Sequence, residues 1–308
     1  MGKGKWDKTN IPSLTGKVII VTGGNSGLGY ESVKAFAEKG ARVILASRRE
    51  EKGREASDKI REDLPAADIN VMELDLADLS SVESFAASFR SAYDRLDILL
   101  NNAGIMTTPY FTTRDGFEGQ MGTNHLGHFA LTARLLDLIL SSPGSRIVNV
   151  SSSAHKAGKM DFDNLLFEKG KAYSPMKAYG RSKLANLLFT YELQRRLEEA
   201  GSDTSCLAAH PGFSSTNLVR YIDKKFLFKL LSPLMSLVSQ SAAMGALPQI
   251  RAAVDPDARG GEYYGPGGFS GMKGYPVRVK SNSASHNMDD ARRLWELSEE
   301  LTGVRYRI

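Results

Sequence analysis

What most constrains this chain is a rhythm, in which short apolar runs rich in β-branched residues alternate with stretches of helical periodicity. The runs are Val18 to Thr22, Arg42 to Ala46, Ile69 to Leu74, Asp97 to Leu100, Arg146 to Val150 and Thr204 to Ala209, and helical patterns lie between them near 27–39, 50–63, 79–93, 116–141 and 176–199. Strands that are apolar along their whole length need cover on both faces, and a strand–helix–strand repeat supplies that cover through right-handed crossovers. The pattern predicts an α/β protein with a single parallel sheet of about seven strands and helices on both faces. Its 308 residues are enough for one large core. No internal repeat or low-complexity linker interrupts it, so residues 16–308 read as a single domain behind a polar N-terminal tail, 1–15.

The first run, Val18-Ile19-Ile20-Val21, is followed by Thr22-Gly23-Gly24-Asn25-Ser26-Gly27-Leu28-Gly29 and then a helical pattern through Ala37. Strand, glycine turn and helix N-terminus in that order make an anion site, because glycines admit a pyrophosphate close to the backbone and the helix dipole favours its charge. This makes the doubly wound sheet a Rossmann fold. The spacing of Gly23, Gly27 and Gly29 is TGxxxGxG, not GxGxxG, and alone it also suits an ordinary turn.

Further along, Tyr179 and Lys183 stand four residues apart and share one face of a helix. A free phenol titrates near ~10, and a neighbouring positive charge favours the phenolate and brings proton transfer closer to working pH. The run Ser151-Ser152-Ser153 offers a hydroxyl to hold a carbonyl oxygen where negative charge develops. These groups can move a proton to or from an alcohol oxygen, and they need a hydride carrier beside them.

The second run ends at Ser47-Arg48-Arg49, with no acid before Glu50. At this place an acid binds the ribose 2′-OH of NAD, whereas arginine accommodates the 2′-phosphate of NADP. Arg48 therefore argues for NADP(H) over NAD(H), with Arg49 as a helper; a solvated pair opening a helix is the plainer alternative. Asp75, after the third run, reads on its residues as a turn or cap aspartate near Leu79. Asn124 falls mid-helix, where asparagine is a poor fit, which suggests a specific role. His125 and His128 are joined by no cysteine or carboxylate at useful spacing, so they read as packing residues and no metal is expected. His155 is a candidate substrate contact, and His210 shapes the loop before Pro211-Gly212.

A net charge of +5 with scattered basic residues argues against nucleic acid as a partner. The single cysteine, Cys206, excludes an intramolecular disulfide, reads as a small buried hydrophobe and suits a reducing compartment, hence a cytoplasmic protein. No run approaches the ~20 apolar residues of a transmembrane anchor. Met1-Gly2 opens like a myristoylation site, but Trp6 stands where that motif wants Ser or Thr.

Several blocks now align in order: the glycine loop, Asn101-Asn102-Ala103-Gly104, Arg114-Asp115-Gly116-Phe117-Glu118, Asn124-His125-Leu126-Gly127-His128-Phe129, Arg146-Ile147-Val148-Asn149-Val150-Ser151-Ser152, and Tyr179 to Lys183 running into Leu184-Ala185-Asn186. With them the chain resembles the short-chain dehydrogenase/reductase family, in its retinol dehydrogenase-like (protochlorophyllide reductase-like) branch, closely over 15–220 and more loosely beyond. The resemblance implies a catalytic set of Asn124, Ser152, Tyr179 and Lys183, with Ser152 taken as the second serine of the run and Asn124 holding a water that links Lys183 to solvent. It implies cofactor contacts at Gly23, Asn25, Ser26, Gly27, Leu28 and Gly29, at Asp75 and Leu76 around the adenine, and at Asn102, Ala103 and Gly104 along the adenosine side. Tyr179 and Lys183 would contact the nicotinamide end, as would Pro211, Gly212 and Thr216. The helices near 116–141 and 176–199 are the family's usual dimer surfaces, so the resemblance allows a homodimer through them, while the sequence does not show whether they are used.

The chain also departs from the family pattern. Twenty-seven positions separate Ser152 from Tyr179, roughly twice the spacing of compact members, and Gly158 to Pro175 resembles the branch's insertion, which would wall the substrate cleft. The N-terminal anchor often found in membrane-bound retinol dehydrogenases is missing, which favours a soluble protein. Residues 213–240 fall where the family keeps a substrate lid, and their apolar core, Phe226 to Val238 with Pro233 inside, implies a lipophilic substrate; a packed helix, a dimer contact or a membrane-surface contact are the other readings. Glu262-Tyr263-Tyr264 reads as a last strand, and Asp289 to Thr302 as a final helix capped by Gly303. The implied function is an NADP(H)-dependent oxidoreductase moving hydride between nicotinamide and a carbonyl or alcohol group of a retinoid-, steroid- or aldehyde-like molecule. A non-catalytic NADP(H)-binding regulatory or scaffold protein, and a carbon–carbon double-bond reductase, are the alternatives.

Overall fold

A computed structural model describes residues 5–212, 240–268 and 271–308. In it β1 (Val18–Thr22) leads into α1 (Gly27–Glu38), β2 (Arg42–Ser47) into α2 (Glu50–Asp63) and β3 (Ile69–Glu73) into α3 (Leu79–Ala92). After β4 (Ile98–Asn101) come α4 (Gly119–Met121), a π-helical turn over Gly122–Leu126 and α5 (Gly127–Leu140). The chain continues through β5 (Arg146–Val150), α6 (Pro175–Glu199), β6 (Ser205–Ala209), α7 (Ala242–Val254), β7 (Tyr263–Pro266), β8 (Pro276–Val279) and α8 (Met288–Thr302). The lid expected over 213–240 lies outside the described residues except for Gln240, and Thr216 lies outside them too.

One sheet carries the strands in the order β3-β2-β1-β4-β5-β6-β7-β8. All its pairings are parallel except the last, where β8 runs antiparallel to β7, with Tyr263 opposite Val279 and Pro266 opposite Pro276. The sheet therefore has an eighth, antiparallel edge strand beyond the parallel set expected. Chain order reverses at β1, which pairs with β2 on one side and β4 on the other, so a crevice opens at the carboxyl ends of these two neighbours.

Alternation along the buried strands feeds two cores. Ile19, Val21, Val43, Leu45, Ile98 and Leu100 pack with Phe36 of α1 and Ala246 and Ile250 of α7. Val18, Ile20, Ile44, Leu99 and Ile147 face the opposite way, against Phe85 and Phe89 of α3, Phe129 and Leu135 of α5 and Leu193 of α6. Helix α7 was not foreseen, because Pro248 sits within it and reads as a breaker. Helix α8 ends as expected at Gly303, whose φ of +68° places it in the left-handed region that favours glycine. Trp295 of α8 and Tyr306 beyond it join Phe129 and Phe189 in an aromatic cluster, and the Tyr306 hydroxyl donates to Phe129 O at 2.8 Å. The helix α8 thus packs along α5 and α6, the two helices the resemblance names as dimer surfaces.

The N-terminal stretch expected to be a polar tail carries three apolar side chains, and these dock. Trp6, Ile11 and Leu14 are buried in the core beneath α1 and α7, and Leu14 N donates to Lys39 O at 2.8 Å. Isolated apolar residues among Lys, Asn and Thr gave no periodicity to announce this. Trp6→Ala should lower the unfolding free energy by ~2–4 kcal/mol, as a buried aromatic truncation does. Urea denaturation checks it, and a loss below ~0.5 kcal/mol would place Trp6 outside the core.

Candidate active site

The crevice is built by tying the ends of β1 and β4 together. Thr22 Oγ1 accepts from the backbone N–H groups of Asn102 and Ala103, each at 2.9 Å. Asn102 Nδ2 donates to Thr22 O at 2.7 Å, and Asn102 Oδ1 accepts from Gln249 Nε2 of α7 at 3.0 Å. The first turn of α1 then packs against this corner so closely that a Cβ on Gly29 would lie 2.2 Å from Gly23 O and 2.7 Å from Asn102 Nδ2. Ser26 is the N-cap of α1 but gives it no side-chain hydrogen bond, so the helix keeps its positive end for an anion.

One cleft runs from this corner to α6. Gly23, Asn25, Ser26, Gly27, Leu28, Gly29, Arg48, Asp75, Leu76, Asn102, Ala103, Gly104, Pro211, Tyr179 and Lys183, all singled out from the sequence, line it. Arg48 is exposed at its rim. Asp75 accepts from Ala77 N at 3.0 Å in a local turn, while the cap of α3 belongs to Asp78. Gly212 does not line the cleft; its φ is +66°, and a Cβ there would lie 2.3 Å from Met272 O. Asn124 lies behind the wall, fully buried.

Helix α6 is locked onto the end of β5. Lys183 Nζ donates to Val150 O at 2.9 Å, Asn186 Nδ2 to the same oxygen at 3.1 Å, and Ser151 Oγ donates to Lys183 O at 2.8 Å. Ser151 is thereby committed to bracing the helix, whereas Ser152 Oγ accepts from Ala154 N at 3.2 Å and favours the charged form of the neighbouring Tyr179 phenol. Asn124 Oδ1 accepts from Ile105 N at 2.8 Å, and its Nδ2 donates to Ile105 O and Ser182 Oγ, each at 2.9 Å. The misfit seen in the sequence is explained by the π-turn, which aims this amide at the 105 loop and α6.

The electrostatics differ from the expectation that Lys183 would draw the Tyr179 pKa down. Both groups are buried in one wall, and burial disfavours the charged form of each. It pushes Lys183 down to about 8 and Tyr179 above the ordinary phenol value, with only the neighbouring Ser152 hydroxyl pulling the phenol back. The ammonium lies 5.8 Å from the Tyr179 ring centre.

Across residues 17–226 the chain matches the family described as short chain dehydrogenase. It belongs to the short-chain dehydrogenases. Within the family it is 42% identical over 300 residues to human retinol dehydrogenase 12, covering 97% of this chain and 90% of that protein. It is 41% identical over 302 residues to human retinol dehydrogenase 13, covering 96% and 87%. Among solved structures it is similar to an uncharacterized protein of Mycobacterium paratuberculosis, at 41% identity and a TM-score of 0.83, covering 99% of this chain and 100% of that one. The Pseudomonas aeruginosa RhlG–NADP complex, at 24% identity and a TM-score of 0.65 over 82% and 94% of the chains, shares the fold. This short-chain dehydrogenase is thus retinol dehydrogenase-like, and its fold implies a nicotinamide cofactor.

The residues present fit such a group. The glycine corner leaves no room for a Cβ at Gly29, and a Cβ at Gly104 would lie 3.1 Å from Asn124 Oδ1 and 3.4 Å from Lys183 Nζ, so backbone alone faces the space there. Sequence reasoning missed Ser182 and the lining residues Ile105, Met106, Thr108, Phe111 and Thr123. Ser182 sits inside the Tyr179–Lys183 motif and Thr123 stands next to Asn124, so both could have been found there; the others lie in a loop of no periodicity. None of the helices among the described residues is long and apolar enough to cross a membrane. His125 and His128 are buried and pushed down to about 3, with His125 beside Ser298 Oγ at 2.9 Å and His128 donating from Nδ1 to Asn124 O at 3.1 Å. His155 is buried and donates from Nδ1 to Ser152 O at 2.6 Å, and His210 Nδ1 accepts from Gly212 N at 3.2 Å.

The lowered Lys183 pKa sets a pH dependence. Below about 8 the folded protein carries a buried ammonium; as pH rises from there toward the unfolded value of 10.5, the folded state gives up the proton first, so stability rises. Between about pH 7.5 and pH 9.5 the cofactor-free protein should gain ~2 kcal/mol relative to Lys183→Met. Parallel urea titrations of the two proteins check this, and equal pH slopes would contradict it.

Proposed function

We propose that this chain is an NADP(H)-dependent oxidoreductase that reversibly exchanges hydride with a carbonyl or alcohol group of a lipophilic small molecule, with residues 16–308 acting as one cofactor-binding and catalytic unit. The observation that carries the reading is the one cleft that joins the glycine corner to Tyr179 and Lys183, with Ser152 beside the phenol though not in the cleft lining. Nicotinamide supplies the hydride chemistry when bound. The Ser152 hydroxyl would orient the substrate oxygen and Tyr179 would give or take its proton at the phenol oxygen. Lys183 would hold the ribose end, and Asn124 would fix the 105 loop beside it and carry the water relay implied by the family.

Arg48 on the rim, with no acid at the end of β2, supports NADP(H). Two solved relatives of this fold, RhlG and a Shigella flexneri enzyme, are described as NADP complexes. Ile105, Met106 and Phe111 give the cleft an apolar side, and the relatives named retinol dehydrogenases accord with a lipophilic substrate. Thr216 and Gly212 would serve the nicotinamide end, and the lid over 213–240 would close on the substrate. A homodimer through α5 and α6 would have to use surface that α8 leaves free. The lone buried Cys206 suits a cytoplasmic setting.

Two variants test this reading. With NADPH and a panel of lipophilic aldehydes and ketones, Tyr179→Phe should lower kcat by ~10³-fold or more while NADPH still binds, since only the proton donor is lost. Binding of NADPH without turnover by the unaltered protein would favour the regulatory alternative. Arg48→Ala should raise the KM for NADPH ~10-fold and leave that for NADH nearly unchanged, which steady-state kinetics measures. Equal effects on both cofactors would remove Arg48 from recognition.

A further inference from the structure

Arg181 lies between Tyr179 and Lys183 in α6 but projects from a different face, away from the cleft. It is only 7% exposed. A guanidinium keeps its charge in a protein, so burying one requires partners. The carboxylate of Asp161 is 3.8 Å away and exposed. The close partners are backbone carbonyls: Nε donates to Lys159 O at 3.1 Å, and Nη1 donates to Asn164 O at 2.7 Å and Leu165 O at 2.9 Å. The guanidinium also lies 4.0 Å from the centre of the Phe167 ring. All of these contacts fall on the segment 158–175, so this buried cation is spent on holding that segment to the helix that carries Tyr179.

The segment is strained where it leaves Arg181. Among the described residues, the non-glycine positions with positive φ are Phe167 at 51°, Lys169 at 50°, Ala172 at 57° and Thr107 at 51°. Side chains avoid this left-handed region, and such residues persist only where their surroundings over-determine them. Three of the four lie in one stretch, and the fourth lies in the loop that stretch touches. The Tyr173 hydroxyl donates to Thr108 O at 2.7 Å and accepts from Gln120 Nε2 at 3.0 Å, while Gln120 Oε1 accepts from Thr107 N at 2.8 Å. The rings of Phe167 and Tyr110 stand edge-on to Tyr173, with centroids 5.4 Å and 5.3 Å away. On its other side this loop presents Ile105, Met106, Thr108 and Phe111 to the cleft that holds Tyr179 and Lys183.

We propose that segment 158–175 and residues 105–111 form one braced wall whose position sets which lipophilic carbonyl or alcohol the cleft accepts, with Arg181 and Tyr173 as positioning residues. The specificity role rests on the oxidoreductase reading above; the mechanical brace does not. Two readouts therefore separate them. By hydrogen–deuterium exchange, Arg181→Met and Tyr173→Phe should each speed exchange of the amides of residues 105–111 by ~10-fold, leaving the amides of β1 unchanged. Arg181→Lys, which keeps the charge but loses the planar fork, should fall between. In steady-state kinetics with NADPH, Tyr173→Phe should raise the KM for a ring-bearing lipophilic aldehyde by ~5-fold or more, while kcat and the KM for a short aliphatic aldehyde change less than ~2-fold.

Unchanged exchange at 105–111 in both Tyr173→Phe and Arg181→Met would overturn the brace. Faster exchange with equal losses on the small and the bulky aldehyde would overturn the specificity role. Should Arg181→Met fail to fold, Tyr173→Phe carries both readouts. Absence of aldehyde turnover in the unaltered protein would overturn the oxidoreductase reading, and the specificity role with it, leaving the brace to be judged by exchange alone.

Discussion

The arrangement depends on how α6 is seated on the end of β5. Three hydrogen bonds fix that seat: Lys183 Nζ and Asn186 Nδ2 both reach Val150 O, and Ser151 Oγ reaches back to Lys183 O. The consequences run outward from there. Because α6 cannot slide, Tyr179 stands beside the serine that immediately follows Ser151, and the proton-handling pair is set by helix register against strand register. Because Lys183 reaches into the wall to the backbone carbonyl of Val150, it is buried, and burial pushes its pKa down to about 8. Its neighbour Asn124 is then committed to holding the 105 loop and Ser182, so that the wall around the ammonium is itself braced.

The same seat joins the two halves of the site. β5 pairs with β4, whose end is tied by Asn102 and Ala103 to Thr22 at the glycine corner. Opposite faces of one helix do different work: Tyr179 and Lys183 face the cleft, and Arg181 grips the segment that separates this chain's Ser152 and Tyr179 so widely.

Much of this was legible in the sequence for physical reasons. Strands buried on both faces must be continuous apolar runs, so the six runs mark the central sheet; a glycine corner that excludes a Cβ must keep its glycines, so the loop announces itself. The residues that were illegible owe their roles to contacts remote in sequence. Helix α7 was hidden by Pro248, whose missing N–H is tolerated in this helix. Strand β8 was hidden in a Gly- and Pro-rich stretch, and Trp6, Ile11 and Leu14 were too sparse to show a period. The 105–111 wall has no pattern because its shape comes from Gln120 and Tyr173, residues of other segments. The expected influence of Lys183 on Tyr179 followed from charge alone, and burial, which a sequence does not display, outweighs it.

The central claim is that the cleft transfers hydride between nicotinamide and a carbonyl carbon, and label transfer tests it most directly. Reaction with NADPH deuterated at the transferable C4 position and a lipophilic aldehyde, followed by mass spectrometry and NMR of the product, shows where the label goes. The account predicts a single deuterium on the new carbinol carbon. Label on a former carbon–carbon double bond, or no label in any product across aldehydes and ketones, would contradict it.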